Sequence, residues 1–301
     1  MRLGRLEELH LDGNRLTALP ETIARLRYLR RLSLYDNRLR AVPADMGELG
    51  SLEDLSLGKN QLRAIPASIL RLVGLRRLNL AENAITAVPV KIATLSRLRM
   101  LDLGHNRLRK LPAELGALTE LEDALYLSDN LLEEIPEAVF RGMPRLHYLG
   151  LTHNPLLALP DSVGDLTGLE ELRLYANGLR ALPEGISRLE HLRELHLHDN
   201  RLEALPDNLG ALMNLRELVV SNNLIAHLPS SIIRLQALKR LDMRNNPLEE
   251  LPLEIGLMES LTHLDLRGTY LERLPESMES LMRLEKLDLR WTKLRALPVW
   301  L

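Results

Sequence analysis

The sequence predicts a repeat solenoid, built by stacking one short strand–turn unit about thirteen times. Three observations predict it. The skeleton L-x-x-L-x-L-x-x-N-x-L-x-x-L-P, clear at Leu29–Pro43, also starts at Leu6, Leu52, Leu75 and Leu98 and returns to the end of the chain. One position of it steps along the chain as Asn14, Asn37, Asn60, Asn83, Asn106, Asn130, Asn154, Asn177, Asn200, Asn223 and Asn246, then Thr269 and Thr292. Leu dominates an apolar content of 46% with only 3% aromatics, the composition of a core made of like layers. A fixed period of this kind decides the fold before any local secondary-structure reading.

Each part of the unit has a physical role. The Leu residues at positions four and six alternate with polar ones, as a short half-buried strand requires. The Asn stands where the chain must turn, and its amide carries both donors and an acceptor for backbone groups. A Pro follows every ladder position by six residues, from Pro20 to Pro298, and accounts for all of the 16 prolines but Pro144, Pro155 and Pro247. Pro lacks an N–H and fixes φ, which suits the outer, non-sheet half of the unit. One unit has too little apolar surface to fold alone, whereas stacked units bury a continuous Leu core. No composition break divides the chain, so it reads as one domain over residues 1–301.

These residues resemble the leucine-rich repeat family in its 23-residue form, similar to Ras-pathway and Scribble-type scaffolds and to bacterial leucine-rich repeat proteins. The resemblance runs from Leu3 to Leu301. It implies an α/β repeat fold: a curved right-handed leucine-rich repeat solenoid, with a parallel β-sheet on the concave face and short irregular or 3₁₀ segments on the convex face. It implies a non-catalytic module that binds a protein partner through the concave face.

Two steps of the ladder are 24 residues rather than 23, and both fall around 121–154. One extra residue lies within Leu121–Leu125, the other near Phe140–Pro144, which brings in the single Phe. Two readings stand: a bulge on the outer side, or a local change of curvature beside a binding surface.

With 39 Lys and Arg against 41 Asp and Glu, the formal net charge is −2. This argues against a broad nucleic-acid or membrane-charge surface. There is no Cys, so disulfide-closed caps are excluded and a reducing, cytoplasmic setting is the simpler reading, with a secreted effector as the alternative. No apolar run is long enough to span a bilayer. The first and last units look uncapped, which reads either as a segment of a longer protein or as ends covered by self-association. The Leu-Arg-Ala-Leu-Pro phrase at Leu179–Pro183 and Leu294–Pro298 gives a bacterial impression.

Positions three, five and seven of each unit are expected to face outward from the sheet, with position eight at its rim. In the N-terminal third the charges before each strand alternate in sign, from Glu7 and Glu8 through Arg30 and Arg31 to Glu53 and Asp54, then Arg76 and Arg77, which reads as stacking support. In the middle, Tyr126, Tyr148, Thr152, His153, Arg173, Tyr175, His196 and His198 occupy these columns, with His105 one unit earlier. Tyr and Arg are types enriched at interface hot spots, and the core does not need them, so these eight are the candidate partner-binding residues. Protonation of the His below about pH 6.5 would add positive charge there, so affinity should change between about pH 5.5 and 7.5. His153, His196 and His198 are the basis of a lesser reading, a metal or small-ligand site.

In the last units Asp242, Asp265 and Asp288 form one row and Arg244, Arg267 and Arg290 another. This reads as a self-compensating ladder. Alternatively, the Arg row beside Trp291 is a second partner-binding set for an acidic or phosphate-bearing partner. No P-loop, nucleophile elbow or zinc-protease motif occurs, no cofactor is implied, and no catalytic residue is assigned. The leading reading is therefore protein recognition. The second is a targeting or autoinhibitory arm of a larger enzyme or secreted effector.

Overall fold

The computed structural model describes residues 4–301, so Leu3, the start of the resemblance, lies outside it. The described residues fall into two compact units that divide between Asn154 and Pro155. The first holds seven strands: β1 (Glu8–His10), β2 (Arg31–Ser33), β3 (Asp54–Ser56), β4 (Arg77–Asn79), β5 (Met100–Asp102), β6 (Ala124–Tyr126) and β7 (Tyr148–Gly150). The second holds six: β8 (Glu171–Arg173), β9 (Glu194–His196), β10 (Glu217–Val219), β11 (Arg240–Asp242), β12 (His263–Asp265) and β13 (Lys286–Asp288). Within each unit the strands pair in parallel with their sequence neighbours, and the register matches repeat to repeat, as in Leu32 with Leu55 or Leu195 with Leu218. The solenoid that the period predicts is the fold that forms.

The Leu columns do what the pattern requires. Leu29, Leu32, Leu34 and Leu39 of one repeat are fully buried, as are Leu52, Leu55, Leu57 and Leu62 of the next. The outer half of most repeats is a 3₁₀ turn that starts after the Pro. The Pro43 carbonyl accepts the Met46 N–H at 3.2 Å, and Leu49 then Leu52 continue the chain of i→i−3 bonds.

The Asn ladder is the second scaffold. Asn106 Nδ2 donates to the carbonyls of Leu80 (3.0 Å), Leu103 (3.1 Å) and Gly104 (3.1 Å), and its Oδ1 accepts the Ile85 N–H at 2.9 Å. One side chain thus satisfies groups of its own turn and of the preceding repeat, which is why a residue with both donors and an acceptor recurs there. Thr269 makes a single bond of this set, to the Leu266 carbonyl at 2.8 Å.

Position eight has a backbone role that the pattern does not announce. Asp36, Lys59, Glu82, His105, Asp129 and His153 in the first unit, and Ala176, Asp199, Asn222, Asn245 and Trp291 in the second, all have φ between 52° and 60°. Gly13 and Gly268 share the column at 67°. The left-handed conformation costs a non-Gly residue roughly 1–2 kcal/mol. It turns the chain sharply out of the strand and aims N–H groups at the next repeat, as from His105 to the Ser128 carbonyl at 2.8 Å.

The two 24-residue steps are resolved differently. At the first, the N–H groups of Glu122, Asp123 and Ala124 converge on the Arg99 carbonyl (3.2, 2.8 and 3.4 Å), where a regular repeat sends two. The extra residue is therefore a bulge at the start of β6, on the sheet side and not the outer side. The inserted Asp123 meets Arg77 at 3.2 Å and Arg99 at 3.4 Å. The second extra residue does lie on the outer side, where it turns the 3₁₀ segment into one α-helical turn, α1 (Glu137–Arg141), with Phe140 fully buried beneath it.

Candidate functional site

In the first unit, β6 and β7 bring Tyr126 and Tyr148 together, with ring centroids 4.9 Å apart and planes tilted by 39°. Tyr148 leans over Gly150, where an added Cβ would stand 3.1 Å from its hydroxyl, and the open backbone there gives the ring room. Tyr126 is 36% exposed. His153 sits at the rim in the left-handed turn. Asp129 stands between two rim histidines, 3.5 Å from His105 and 3.7 Å from His153. Thr152 is a correction: it is 4% exposed, so its side chain is not offered to a partner. Position seven lies where the strand runs down into the Asn-braced turn, and small residues there, such as Gly58, Ala81 and Gly104, are likewise buried.

In the second unit, β8 and β9 bring together Arg173, Tyr175, His196 and His198. The Tyr175 and His198 rings stack at 4.3 Å with planes 13° apart, and His196 meets His198 edge-on at 6.5 Å. Burial holds the His198 imidazole below its usual pKa, because its surroundings disfavour the charged form. His196 Nε2 lies 3.2 Å from Glu194 Oε2, and Arg173 is paired with Glu171 on its own strand. Glu171 and Glu194 are register partners on β8 and β9. With His196 they place three potential ligand atoms within 4.8 Å of one another, the one such group among the described residues. The sequence reading missed both glutamates. The signal was there, since Glu171 and Glu194 hold position three of consecutive repeats, the same outward-facing column as Tyr148.

The rows at the end of the second unit close as a ladder. The Arg244 guanidinium grips Asp242 at 2.6 Å and reaches Asp265 at 3.5 Å; Arg267 grips Asp265 at 2.7 Å and reaches Asp288 at 3.3 Å; Arg290 grips Asp288 at 2.7 Å. Asp288 is pushed down to about 2, chiefly by its bond from Arg290. Arg244 and Arg267 are thus engaged within the chain. Arg290, 60% exposed, stands beside Trp291, 77% exposed, with the guanidinium 5.5 Å from the ring centroid. In the first unit the alternating charges also pair, Arg30 with Glu53 at 2.7 Å and Arg31 with Glu8 and Asp54 at 3.4 Å each. Among the described residues no helix is long and apolar enough to cross a membrane.

The family model described as leucine rich repeat matches residues 4–62, 50–108, 73–123, 96–156 and 123–179, which together span more than half of the chain. A second, leucine-rich repeat region, matches 206–292. Among solved structures, a leucine-rich repeat protein of Leptospira interrogans is 34% identical over 94% of this chain and 72% of its own, with a TM-score of 0.88. The plant peptide hormone receptor RGFR1, in complex with RGF2, is 31% identical with a TM-score of 0.82, over 96% of this chain and 48% of its own. The Arabidopsis receptor kinase HAESA, in complex with the peptide hormone IDA and the co-receptor SERK1, is 26% identical with a TM-score of 0.79, over 98% of this chain and 50% of its own. No curated protein matches the chain. The chain belongs to the leucine-rich repeat family.

Proposed function

We propose that this chain is a non-catalytic recognition module that binds a protein or peptide partner on the strand-bearing, concave face of its repeats. The observation that carries the reading is the placement of ring pairs on that face, Tyr126 with Tyr148 in one unit and Tyr175 with His198 in the other, where the Leu columns already fill the core. Rings with polar tips supply large contact area at low entropy cost, and a strand-borne surface is preformed, so little ordering is lost on binding. Two similar receptors are seen in complex with peptide hormones, which supports the same class of partner here. The absence of Cys supports a reducing compartment. Arg290 with Trp291 is the proposed secondary contact, as the exposed end of the Asp–Arg ladder.

The test is capture of partners from a lysate of the source organism. Three baits are compared: the wild type, Tyr126→Ala with Tyr148→Ala, and Tyr175→Ala with His198→Ala, each first shown to melt as the wild type does. A partner lost from one double variant assigns recognition to that pair of rings. Equal capture by all three overturns the reading.

A second reading rests on Glu171, Glu194 and His196, whose spacing suits a divalent cation. Zinc and manganese titrations followed by calorimetry test it. Stoichiometric heat that disappears in Glu194→Gln supports a metal site, and absence of heat removes it.

A further inference from the structure

The second unit shows what an Asp at position five of a repeat takes as its partner. In Asp242–Arg244, Asp265–Arg267 and Asp288–Arg290 the N–H two residues on donates to the carboxylate (3.2–3.3 Å), and the guanidinium of the same residue folds back on it as a fork. The fork contacts run from 2.6 to 2.9 Å in all three copies. Bidentate pairing of this kind is the strongest common arrangement for a carboxylate.

Asp102, in the first unit, is the same position of another repeat. Its carboxylate accepts the N–H of Gly104 at 3.0 Å, so the backbone half of the motif is intact. The side-chain half is missing, because residue 104 is Gly. An added Cβ at Gly104 would meet Asp102 Oδ1 at 3.3 Å and the Ser128 carbonyl at 3.5 Å, so a side chain starting there would begin against the carboxylate, and Gly104 is not in a left-handed conformation. Asp102 forms no ion pair among the described residues, whereas its counterparts Asp242, Asp265 and Asp288 each meet at least one guanidinium. It is half-buried, and that burial raises its pKa, which marks a carboxylate short of compensation. Its register partner on β6 is Tyr126, a ring that can flank a planar cation.

We infer that Asp102 is a docking point for a guanidinium supplied by the partner, an Arg side chain that takes the place Arg244, Arg267 and Arg290 hold in their own repeats, beside Tyr126. This rests on the proposed partner-binding reading and gives that partner a chemistry: a segment presenting an arginine to the face of the first unit.

The probe is N-acetyl-arginine amide, with N-acetyl-citrulline amide as its uncharged isostere, titrated into the full chain and followed at the backbone amide of Gly104 by nitrogen–proton correlation spectra. The expected result is a saturable shift with the arginine probe, at least tenfold weaker with citrulline, and lost in Asp102→Asn. Gly104→Arg supplies the guanidinium from within; it should melt no lower than the wild type and no longer bind the probe. A shift that is absent in the wild type, equal for the two probes, or unchanged in Asp102→Asn or Gly104→Arg overturns the assignment. A captured partner that is lost with Tyr126→Ala and Tyr148→Ala but kept by Asp102→Asn overturns the guanidinium site alone and leaves the recognition surface standing.

Discussion

The Tyr35 hydroxyl donates to Glu82 Oε1 at 2.7 Å, across two repeats. Tyr35 holds position seven of its repeat and Glu82 the left-handed rim position two repeats on. Between them lies Gly58, where an added Cβ would meet the Tyr35 ring at 2.9 Å, so the missing side chain lets the ring lie flat across the rim. The bond needs the neutral phenol, and the carboxylate beside it disfavours phenolate. Tyr35 is pushed up to about 12.

An ultraviolet titration should therefore find one tyrosine ionising at about 12, against roughly 10 for the free side chain, and Glu82→Gln should bring it back toward the free value. A phenol whose folded pKa is raised contributes stability that is complete below the unfolded pKa. That part is lost as pH rises from about 10 to about 12. A titration curve unchanged by Glu82→Gln would show that the bond does not form in solution.

The Asn ladder predicts unequal costs along one column. Asn106→Ala strands three carbonyls and the Ile85 N–H in a buried turn, so denaturant melts should show a loss of about 2–4 kcal/mol. Asn14, with only the Leu11 and Asp12 carbonyls and an exposed position, should cost under about 1 kcal/mol. Conversely, Thr269→Asn restores the missing donors at a fully buried site that now makes one such bond, and should raise Tm. Equal losses for Asn106 and Asn14 would mean that the ladder is not a source of stability.

The period, the short strands and the buried Leu columns were legible because each follows from spacing, whereas the 3₁₀ segments were an expectation of the family resemblance. The paired charges were legible too, since opposite signs at one column of adjacent repeats must meet once the register is known. What spacing does not encode was missed. Thr152 reads as a surface residue by its column, yet position seven dips into the turn and is buried where its residue is small. The bulge at Asp123 could be placed only by seeing which carbonyl its N–H takes. The left-handed rim column hides behind Asp, Lys, His and Trp because the neighbouring repeat, not residue type, fixes its conformation. Glu171 and Glu194 share a column, but that they converge with His196 depends on side-chain directions, which spacing does not give.

The α-helical turn inserted at the second 24-residue step presses on the preceding 3₁₀ segment. An added Cβ at Gly116 would fall on the Ala138 carbonyl, and one at Gly142 on the Gly116 carbonyl. Both obstacles are backbone, which cannot swing aside as a side chain can. Gly116→Ala and Gly142→Ala should each destabilise by about 1–3 kcal/mol despite the better helix propensity of Ala. Gly50→Ala, where an added Cβ meets nothing within 4 Å, is the control and should change little. Equal melting of all three would remove the close approach as a constraint.

Acid should find the end of the ladder late. Asp288 is held near 2 by Arg290, well below an unfolded carboxylate near 3.9. A depressed carboxylate contributes stability that is complete above the unfolded pKa and is lost as pH falls from about 4 to about 2. Asp288→Asn should therefore lower Tm at pH 7, and the difference from the wild type should shrink across that window. A difference that persists unchanged at pH 2 would trace the effect to packing instead.

The ring stack of the second unit gives the proposed binding face a pH signature of its own. Burial, more than any neighbouring charge, holds the His198 imidazole below its usual pKa near 6.5. At neutral pH the ring is therefore uncharged and lies stacked on Tyr175. The sign for stability follows: a histidine with a lowered folded pKa contributes fully above about pH 6.5, and that contribution falls as pH drops below it, because the unfolded chain takes the proton first. The change that sequence alone places between about pH 5.5 and 7.5 is, for His198, confined to the acid side of that range. Affinity for a partner seated on Tyr175 should hold level from pH 7.5 to about 6.5 and shift only below it, and His198→Gln should remove the shift while keeping affinity at pH 7.5 within about threefold. A midpoint above 6.5, or one that survives His198→Gln, would assign the pH dependence to another group.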